Sequence, residues 1–133
     1  MPFLLDSSVL LPAPSGQAKS PPALSGEGED ECFLSSATAA ELLETALLVQ
    51  DPERRSLRIA FVEALLEQFP LLPIDRRVAR MHAQMRAGPL PRHLRPQDGW
   101  VAATSLAYGF TLATARPADF KGIPGLRLVD WSL

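Results

Sequence analysis

The sequence predicts an α/β fold, a three-layer α/β/α sandwich with a mainly parallel sheet. Short apolar segments alternate along the chain with longer segments of helical spacing, and Pro or Gly often separates the two. Strands that are joined through helices pair in parallel, because a parallel pair needs a long crossover connection. The 133 residues fit one domain that covers 1–133.

The first half of the chain predicts two strands with a loop insertion between them. Phe3-Leu4-Leu5 has the composition of a short buried strand and runs into the polar turn Asp6-Ser7-Ser8. Cys32-Phe33-Leu34 is the second predicted strand. Between them, residues at about 12–31 are rich in Pro, Gly and acids, which indicates a loop.

Two helices are predicted next, over 35–49 and 53–69, separated by Pro52. The spacing of apolar residues indicates which side of each helix is buried. The predicted buried sides consist of Ala40, Leu43, Ala46 and Leu47 in the first helix, and of Leu57, Phe61, Ala64 and Leu65 in the second.

The second half predicts three strands and two helices. Asp75 is a good N-cap for a helix through residue 86, and Gly109 ends an Ala-rich helix over 97–108. The predicted strands cover 71–74, 110–113 and 126–129, with a turn-rich segment at 114–125.

Composition excludes several classes of protein. Fifteen acids against 13 Lys and Arg give a net charge of −2, which excludes a histone-like polycation. Cys32 is the single cysteine, so an intrachain disulfide is excluded and a reducing compartment is expected. No apolar run reaches the roughly 18 residues of a membrane helix, and we expect a cytoplasmic protein. Residues 54–133 contain 12 bases and six acids, an excess that suits a polyanionic partner. Eleven of the 13 bases are Arg, which suits phosphate contacts but equally fits a GC-rich coding bias.

Four carboxylates lie where strands end or helices begin. Asp6 follows the first strand, Glu41 and Asp98 are expected in the first turns of two helices, and Asp119 is expected in the turn after the 110–113 strand. Because these positions share one edge of a parallel sheet, the four side chains can converge. Two carboxylates about 4–5 Å apart repel by roughly 3–4 kcal/mol at an effective dielectric near 20, so a cluster needs protons or a cation.

The all-oxygen donor set favours Mg²⁺ or Mn²⁺, which could activate water against a phosphodiester. Each acid also has a purely local explanation. Thr38-Ala39-Ala40-Glu41 matches a capping box, Asp98 suits the positive end of its helix, and Asp119 suits a turn. Asp6, directly after a buried strand, is the hardest of the four to explain in this way.

Four sequence motifs resemble those of PIN-domain ribonucleases, specifically the VapC-type toxins of toxin-antitoxin systems. They cover nearly the whole chain in order: Phe3-Leu4-Leu5-Asp6-Ser7-Ser8-Val9-Leu10, Ser35-Ser36-Ala37-Thr38-Ala39-Ala40-Glu41-Leu42, Asp98-Gly99-Trp100-Val101-Ala102-Ala103, and Leu112-Ala113-Thr114 through Asp119-Phe120. The resemblance implies a Mg²⁺- or Mn²⁺-dependent endoribonuclease in which Asp6, Glu41, Asp98 and Asp119 hold the metal and perform catalysis. It also implies RNA as substrate, a homodimer, and neutralisation by a small antitoxin whose C-terminal segment lies in the RNA groove.

Two positions depart from the family pattern. Ser7 keeps the hydroxyl of the family's Thr, but Ser8 replaces its usual Asn, and Arg116 stands where relatives often have Asn or Asp. Ser7 and Arg116, with Arg92 and Arg95 of the basic loop, are candidate contacts to RNA, and an ordinary solvated loop is the alternative for the loop arginines. The departures also leave open a degenerate PIN domain that binds RNA or a partner without cleaving. A phosphoacceptor receiver domain fits poorly, since it needs paired acids after the first strand.

Overall fold

The computed structural model describes residues 1–11 and 31–132. Residues 12–30 of the expected loop insertion therefore lie outside the described part of the chain. The strands are β1 (Phe3–Leu5), β2 (Cys32–Ser35), β3 (Leu71–Leu72), β4 (Thr111–Thr114) and β5 (Leu128–Asp130). The helices are α1 (Ser36–Leu47), α2 (Pro52–Gln68), α3 (Arg76–Ala87), α4 (Pro96–Tyr108) and α5 (Pro117–Phe120), and a 3₁₀ turn covers Ser7–Val9.

The five strands form one sheet in the order β3-β2-β1-β4-β5, and all of its neighbouring pairs are parallel. The α/β prediction is thus confirmed. The strand order reverses between β1 and β4, since β2 and β3 extend the sheet on one side and β4 and β5 on the other. In open parallel sheets such a reversal opens a crevice at the carboxyl ends of the strands, where ligands bind. In this protein, Asp6 and Thr114 lie there.

The central strand contributes to a separate hydrophobic cluster on each side of the sheet. Leu4 packs with residues of α3 and α4, including Val78 and Val101. Leu5 packs with residues of α1 and α2, including Val62. Because successive residues of a strand point to opposite faces, this alternation places helices on both sides of the sheet.

The start of α1 agrees with the prediction to one residue, but its capping does not. Ser35 is the N-cap, and its hydroxyl accepts the backbone N–H of Thr38 at 2.9 Å. The expected capping box at Thr38-Ala39-Ala40-Glu41 is therefore wrong. Such a box would make Thr38 the N-cap, and the observed N-cap lies three residues before it. As a result, Glu41 lies in the second turn of α1 rather than in the first.

The predicted buried sides of α1 and α2 are also largely wrong. In α1, Ala46 is buried as expected, but Ala40 and Leu47 are exposed. In α2, Leu57 is 72% exposed and Val62 is fully buried. Apolar residues surround α2, so the spacing alone does not decide which of them face the sheet. Of the eight predicted positions, Leu43 and Leu65 are half-buried against the α1–α2 cluster, whereas Phe61 and Ala64 are exposed.

The remaining elements agree with the prediction to within a few residues. Asp75 accepts the backbone N–H of Val78 at 3.0 Å and caps α3. Gly109 ends α4 with φ 70°, a left-handed conformation that favours glycine. In the expected turn-rich segment the chain forms the short helix α5, which contains Asp119. Among the described residues, no helix is long and apolar enough to cross a membrane.

Candidate active site

Asp6 lies at the carboxyl end of β1 and is held by three neighbouring side chains. It is fully buried, and its Oδ2 accepts hydrogen bonds from Ser8 Oγ at 2.6 Å and from Thr114 Oγ1 at 2.9 Å. The guanidinium of Arg116 lies 3.2 Å from the same oxygen. These contacts satisfy a buried carboxylate and fix its orientation.

Ser8 and Thr114 are the two residues in contact with Asp6 that the sequence analysis did not place among the candidate site residues. Ser8 Oγ also accepts the backbone N–H of Ala115 at 2.9 Å, and Thr114 Oγ1 accepts the backbone N–H of Arg116 at 2.9 Å. The two hydroxyls therefore join the loop after β1 to the end of β4. The signal was present in the sequence, because both are small hydroxyl residues at the ends of strands that the prediction places in one sheet.

Asp98 lies in the first turn of α4 and is 1% exposed. Arg95 forms a bidentate pair with it, since Nε and Nη2 each donate to one carboxylate oxygen at 3.0 Å. The hydrogen bond to Asp98 raises the pKa of Arg95 above its ordinary value. Arg95 Nη2 also lies 3.8 Å from Glu41 Oε1, so this guanidinium connects two of the four predicted acids.

Glu41 is the acid with the least complete hydrogen bonding. Its Oε1 accepts from Ser7 Oγ at 3.5 Å, while its Oε2 is buried and has no hydrogen-bond partner in the described part of the chain. Burial raises the pKa of Glu41, Arg95 opposes that rise, and the negative charges of Asp6 and Asp98 add to it. The carboxylate is therefore disfavoured as an anion unless a further cation approaches it.

Arg116 lies among the other acids. Its Nη2 is 3.7 Å from Asp98 Oδ1, and its Nη1 donates to Asp119 Oδ2 at 2.7 Å. Through the two arginines the structure brings Asp6, Glu41, Asp98 and Asp119 into one cluster, although Asp119 is 43% exposed at its outer edge. The four acids at the strand and helix ends thus lie around two guanidinium groups, and their role as a site stays a prediction.

Comparison with known proteins identifies the family. Residues 3–126 match the PIN domain model. The chain belongs to the PIN-domain family. A PIN relative, the tRNA(fMet)-specific endonuclease VapC of Shigella flexneri, is 28% identical over 133 residues, 98% of each chain.

Two solved structures share the PIN fold. FitAcB from Neisseria gonorrhoeae superposes with a TM-score of 0.80 at 24% identity, covering 98% of this chain and 99% of that one. A member of the VapBC family of toxin-antitoxin systems, VapBC-5 from Mycobacterium tuberculosis, superposes with a TM-score of 0.71 at 22% identity. This match covers 97% of this chain and 98% of that one. A further relative, the tRNA(fMet)-specific endonuclease VapC of Salmonella typhimurium, is 32% identical over 101 residues, 74% of each chain. This PIN domain is therefore a VapC-type chain, and the names of its curated relatives support nuclease activity.

The donor set of this PIN domain fits a hard divalent cation. Within residues 1–11 and 31–132, no three His, Cys, Asp or Glu side chains are arranged to hold a metal ion as they stand. Mg²⁺, however, needs only one or two protein carboxylates and keeps several waters. The buried and unpartnered Oε2 of Glu41, close to further carboxylates, is the kind of oxygen that such an ion satisfies.

The predicted RNA-contact residues of the PIN domain have different surroundings. Ser7, Arg95 and Arg116 contact the acid cluster itself. Arg92 is exposed in the loop before α4 and makes no ion pair or hydrogen bond with a described residue. Three of the four candidates thus belong to the cluster, and Arg92 lies outside it.

Proposed function

We propose that the protein is the toxin of a toxin-antitoxin pair and hydrolyses RNA phosphodiester bonds as a Mg²⁺- or Mn²⁺-dependent endoribonuclease. The observation that carries this proposal is the cluster of buried Asp6 and Asp98 with half-buried Glu41 at the strand-order reversal of the sheet, where one oxygen of Glu41 is left unpartnered. The VapC-type relatives support the nuclease part. A bound divalent ion supplies an activated water and neutralises charge on the phosphodiester.

The side chains of the cluster have distinct roles in this proposal. Glu41 would hold the ion together with Asp6 and Asp98, directly or through the waters of the ion. Asp119 would add a further carboxylate at the exposed edge of the cluster. Ser8 and Thr114 orient Asp6 through their hydrogen bonds. Arg95, whose side chain is 50% exposed, can turn towards the phosphate of a bound RNA when an ion neutralises its carboxylate partners.

The proposed partners follow from the relatives. The M. tuberculosis structure is described as a member of a family of toxin-antitoxin systems. We include a cognate antitoxin protein that covers the RNA groove, a homodimer and a cytoplasmic location in the proposal. Because the name of the Shigella relative specifies tRNA(fMet), initiator tRNA is the first RNA to test.

The test is cleavage of RNA by the purified protein in Mg²⁺ or Mn²⁺, with EDTA as control. Asp98→Asn should lower the rate at least roughly 100-fold, since even outer-shell partners of metal ligands are worth 10–100-fold. Glu63→Gln, which removes one negative charge from an exposed position on α2, should leave the rate unchanged. Equal rates for the wild type and Asp98→Asn would refute the proposal.

The second candidate function is a non-cleaving PIN domain that binds RNA or a partner. The observation that favours it is the presence of two guanidinium groups among the acids. In that case the wild-type protein binds RNA but cleaves none in either metal, and Asp98→Asn leaves RNA affinity unchanged.

A further inference from the structure

The guanidinium of Arg116 occupies a central position among three carboxylates. It lies 3.2 Å from Asp6 and 2.7 Å from Asp119, and 3.7 Å from Asp98. Asp6 and Asp98 are each 1% exposed, so little solvent is available to compensate their charges. The chain therefore supplies its own cation at a place where buried carboxylates need one.

Arg116 is also tied to the site through its backbone. Its N–H donates to Thr114 Oγ1, the hydroxyl that itself donates to Asp6. The next residue, Pro117, begins α5. The side chain is 32% exposed, compared with 50% for Arg95. Arg116 is thus the more firmly placed of the two arginines.

Glu41 lies on the side of the cluster that Arg116 does not contact. Its cationic neighbour is Arg95 at 3.8 Å, and its Oε2 is buried without a hydrogen-bond partner in the described part of the chain. The two sides of the cluster therefore differ. On one side Arg116 contacts Asp6, Asp98 and Asp119. On the other side Arg95 pairs with Asp98, and one carboxylate oxygen of Glu41 is still unsatisfied.

We propose that Arg116 is a resident cation, which permanently takes the place of a metal ion between Asp6, Asp98 and Asp119. As a consequence, the cluster binds at most one divalent ion, and this ion lies on the side of Glu41. This inference rests on the proposed metal-dependent function and specifies its metal site. A second divalent ion among Asp6, Asp98 and Asp119 would lie against the positive guanidinium and be repelled by it. A PIN domain with Asn or Asp at this position lacks that obstacle.

The test is the binding of Mn²⁺ to the full chain, followed by calorimetry and by thermal melting. The wild type should bind no more than one ion. Arg116→Gln should melt several degrees lower than the wild type in EDTA, because the buried Asp6 loses the guanidinium that contacts it. Addition of Mn²⁺ should restore most of the lost melting temperature of Arg116→Gln, because the ion replaces the missing cation. For the same reason, the dissociation constant of Mn²⁺ should be at least about tenfold lower for Arg116→Gln than for the wild type.

Two control variants separate this effect from a general change of charge. Arg116→Lys keeps the cation and should behave like the wild type towards Mn²⁺. Arg80→Gln removes an exposed charge on α3 that makes no ion pair with a described residue, and it should change neither the melting midpoint nor the affinity for Mn²⁺.

Two results would overturn the inference: two Mn²⁺ ions in the wild type, or equal Mn²⁺ affinity and equal melting shift in the wild type and Arg116→Gln. RNA cleavage, measured separately, distinguishes this failure from failure of the proposed function. If the wild type cleaves RNA and binds two Mn²⁺ ions, the inference that Arg116 is a resident cation is wrong while the nuclease proposal stands. A wild type that cleaves no RNA, beside an Arg116→Gln protein with tighter Mn²⁺ binding, disproves the nuclease proposal alone.

Discussion

One hydroxyl group, that of Ser8, connects the two strand ends that build the candidate site. It donates to Asp6 at 2.6 Å and accepts the N–H of Ala115 at 2.9 Å. Ser8→Ala leaves a half-buried N–H and a buried carboxylate each short of a partner. We expect a loss of about 1–3 kcal/mol in the free energy of unfolding, measured by denaturant titration, and slower RNA cleavage.

Ser36→Ala is the matched control for this prediction. It removes a similar hydrogen bond, from Ser36 Oγ to the carbonyl oxygen of Leu72 at 3.1 Å, between the start of α1 and β3. It should lower stability without a specific loss of cleavage. If Ser8→Ala keeps both the stability and the cleavage rate of the wild type, Ser8 does not position Asp6.

The acids of the site could be predicted from the sequence, whereas their partners could not. Asp6 and Asp98 lie at places that the order of strands and helices determines, so the coarse layout was sufficient to bring them together. Which side chains neutralise them depends on rotamers and on loop paths. The prediction therefore assigned Arg95 and Arg116 to RNA, and the structure shows both of them on the acids of the chain itself.

At the scale of elements, the two long helices show the limit of apolar spacing. The spacing predicted correctly that α1 and α2 exist, but it chose the wrong side of α2, where Leu57 is exposed and Val62 is buried. A helix with apolar residues on several sides has no unique buried side until it packs against a neighbour. The N-cap of α1 had two candidates for a related reason, because Ser35 and Thr38 are both good N-caps and only the position of β2 decides between them.

The N-terminus of α3 gives a prediction that depends on pH. Asp75 accepts the N–H of Val78 and the hydroxyl of Tyr108, each at 3.0 Å, and the bond from Val78 is the main reason that the pKa of Asp75 lies below its ordinary value. A lowered pKa in the folded state means that the ionised form stabilises the fold. This contribution is complete well above the ordinary pKa of an Asp side chain and is lost as the pH falls through the pKa of the folded state.

Asp75→Ala should therefore lower the melting midpoint by a few degrees at neutral pH, and the difference from the wild type should shrink in acid. Asp75→Asn separates the two contributions, because its amide oxygen still caps the helix but carries no charge. It should lie between the wild type and Asp75→Ala at neutral pH. A difference between the wild type and Asp75→Ala that stays constant down to pH ~3 would contradict this account.

At the scale of the whole molecule, the sheet connects two separate hydrophobic clusters. Leu4 belongs to the cluster under α3 and α4, and Leu5 to the cluster under α1 and α2. Since these neighbouring residues share the central strand, we expect the two clusters to lose their packing against β1 together. The parallel topology was predictable because helices separate the strands, and this coupling follows from it.

The two tryptophans make that coupling measurable. Trp100 stacks on His82 with ring centroids 3.6 Å apart and packs against the Leu4 cluster. Trp131 lies 5.0 Å from the ring of Phe3 and packs against the Leu5 cluster on the opposite face. Trp131→Phe and Trp100→Phe therefore give proteins whose fluorescence reports one face of the sheet each.

We expect each of these variants to unfold in one cooperative transition, with the same denaturant midpoint by tryptophan fluorescence and by far-UV circular dichroism. The comparison is made within one variant, because the loss of a tryptophan changes stability in its own right. Separate midpoints in either variant would mean that one face of the sheet unfolds before the other. Asp6 accepts hydrogen bonds from residues at the ends of both β1 and β4. Unfolding of one face before the other would therefore break the packing around the site on that face first.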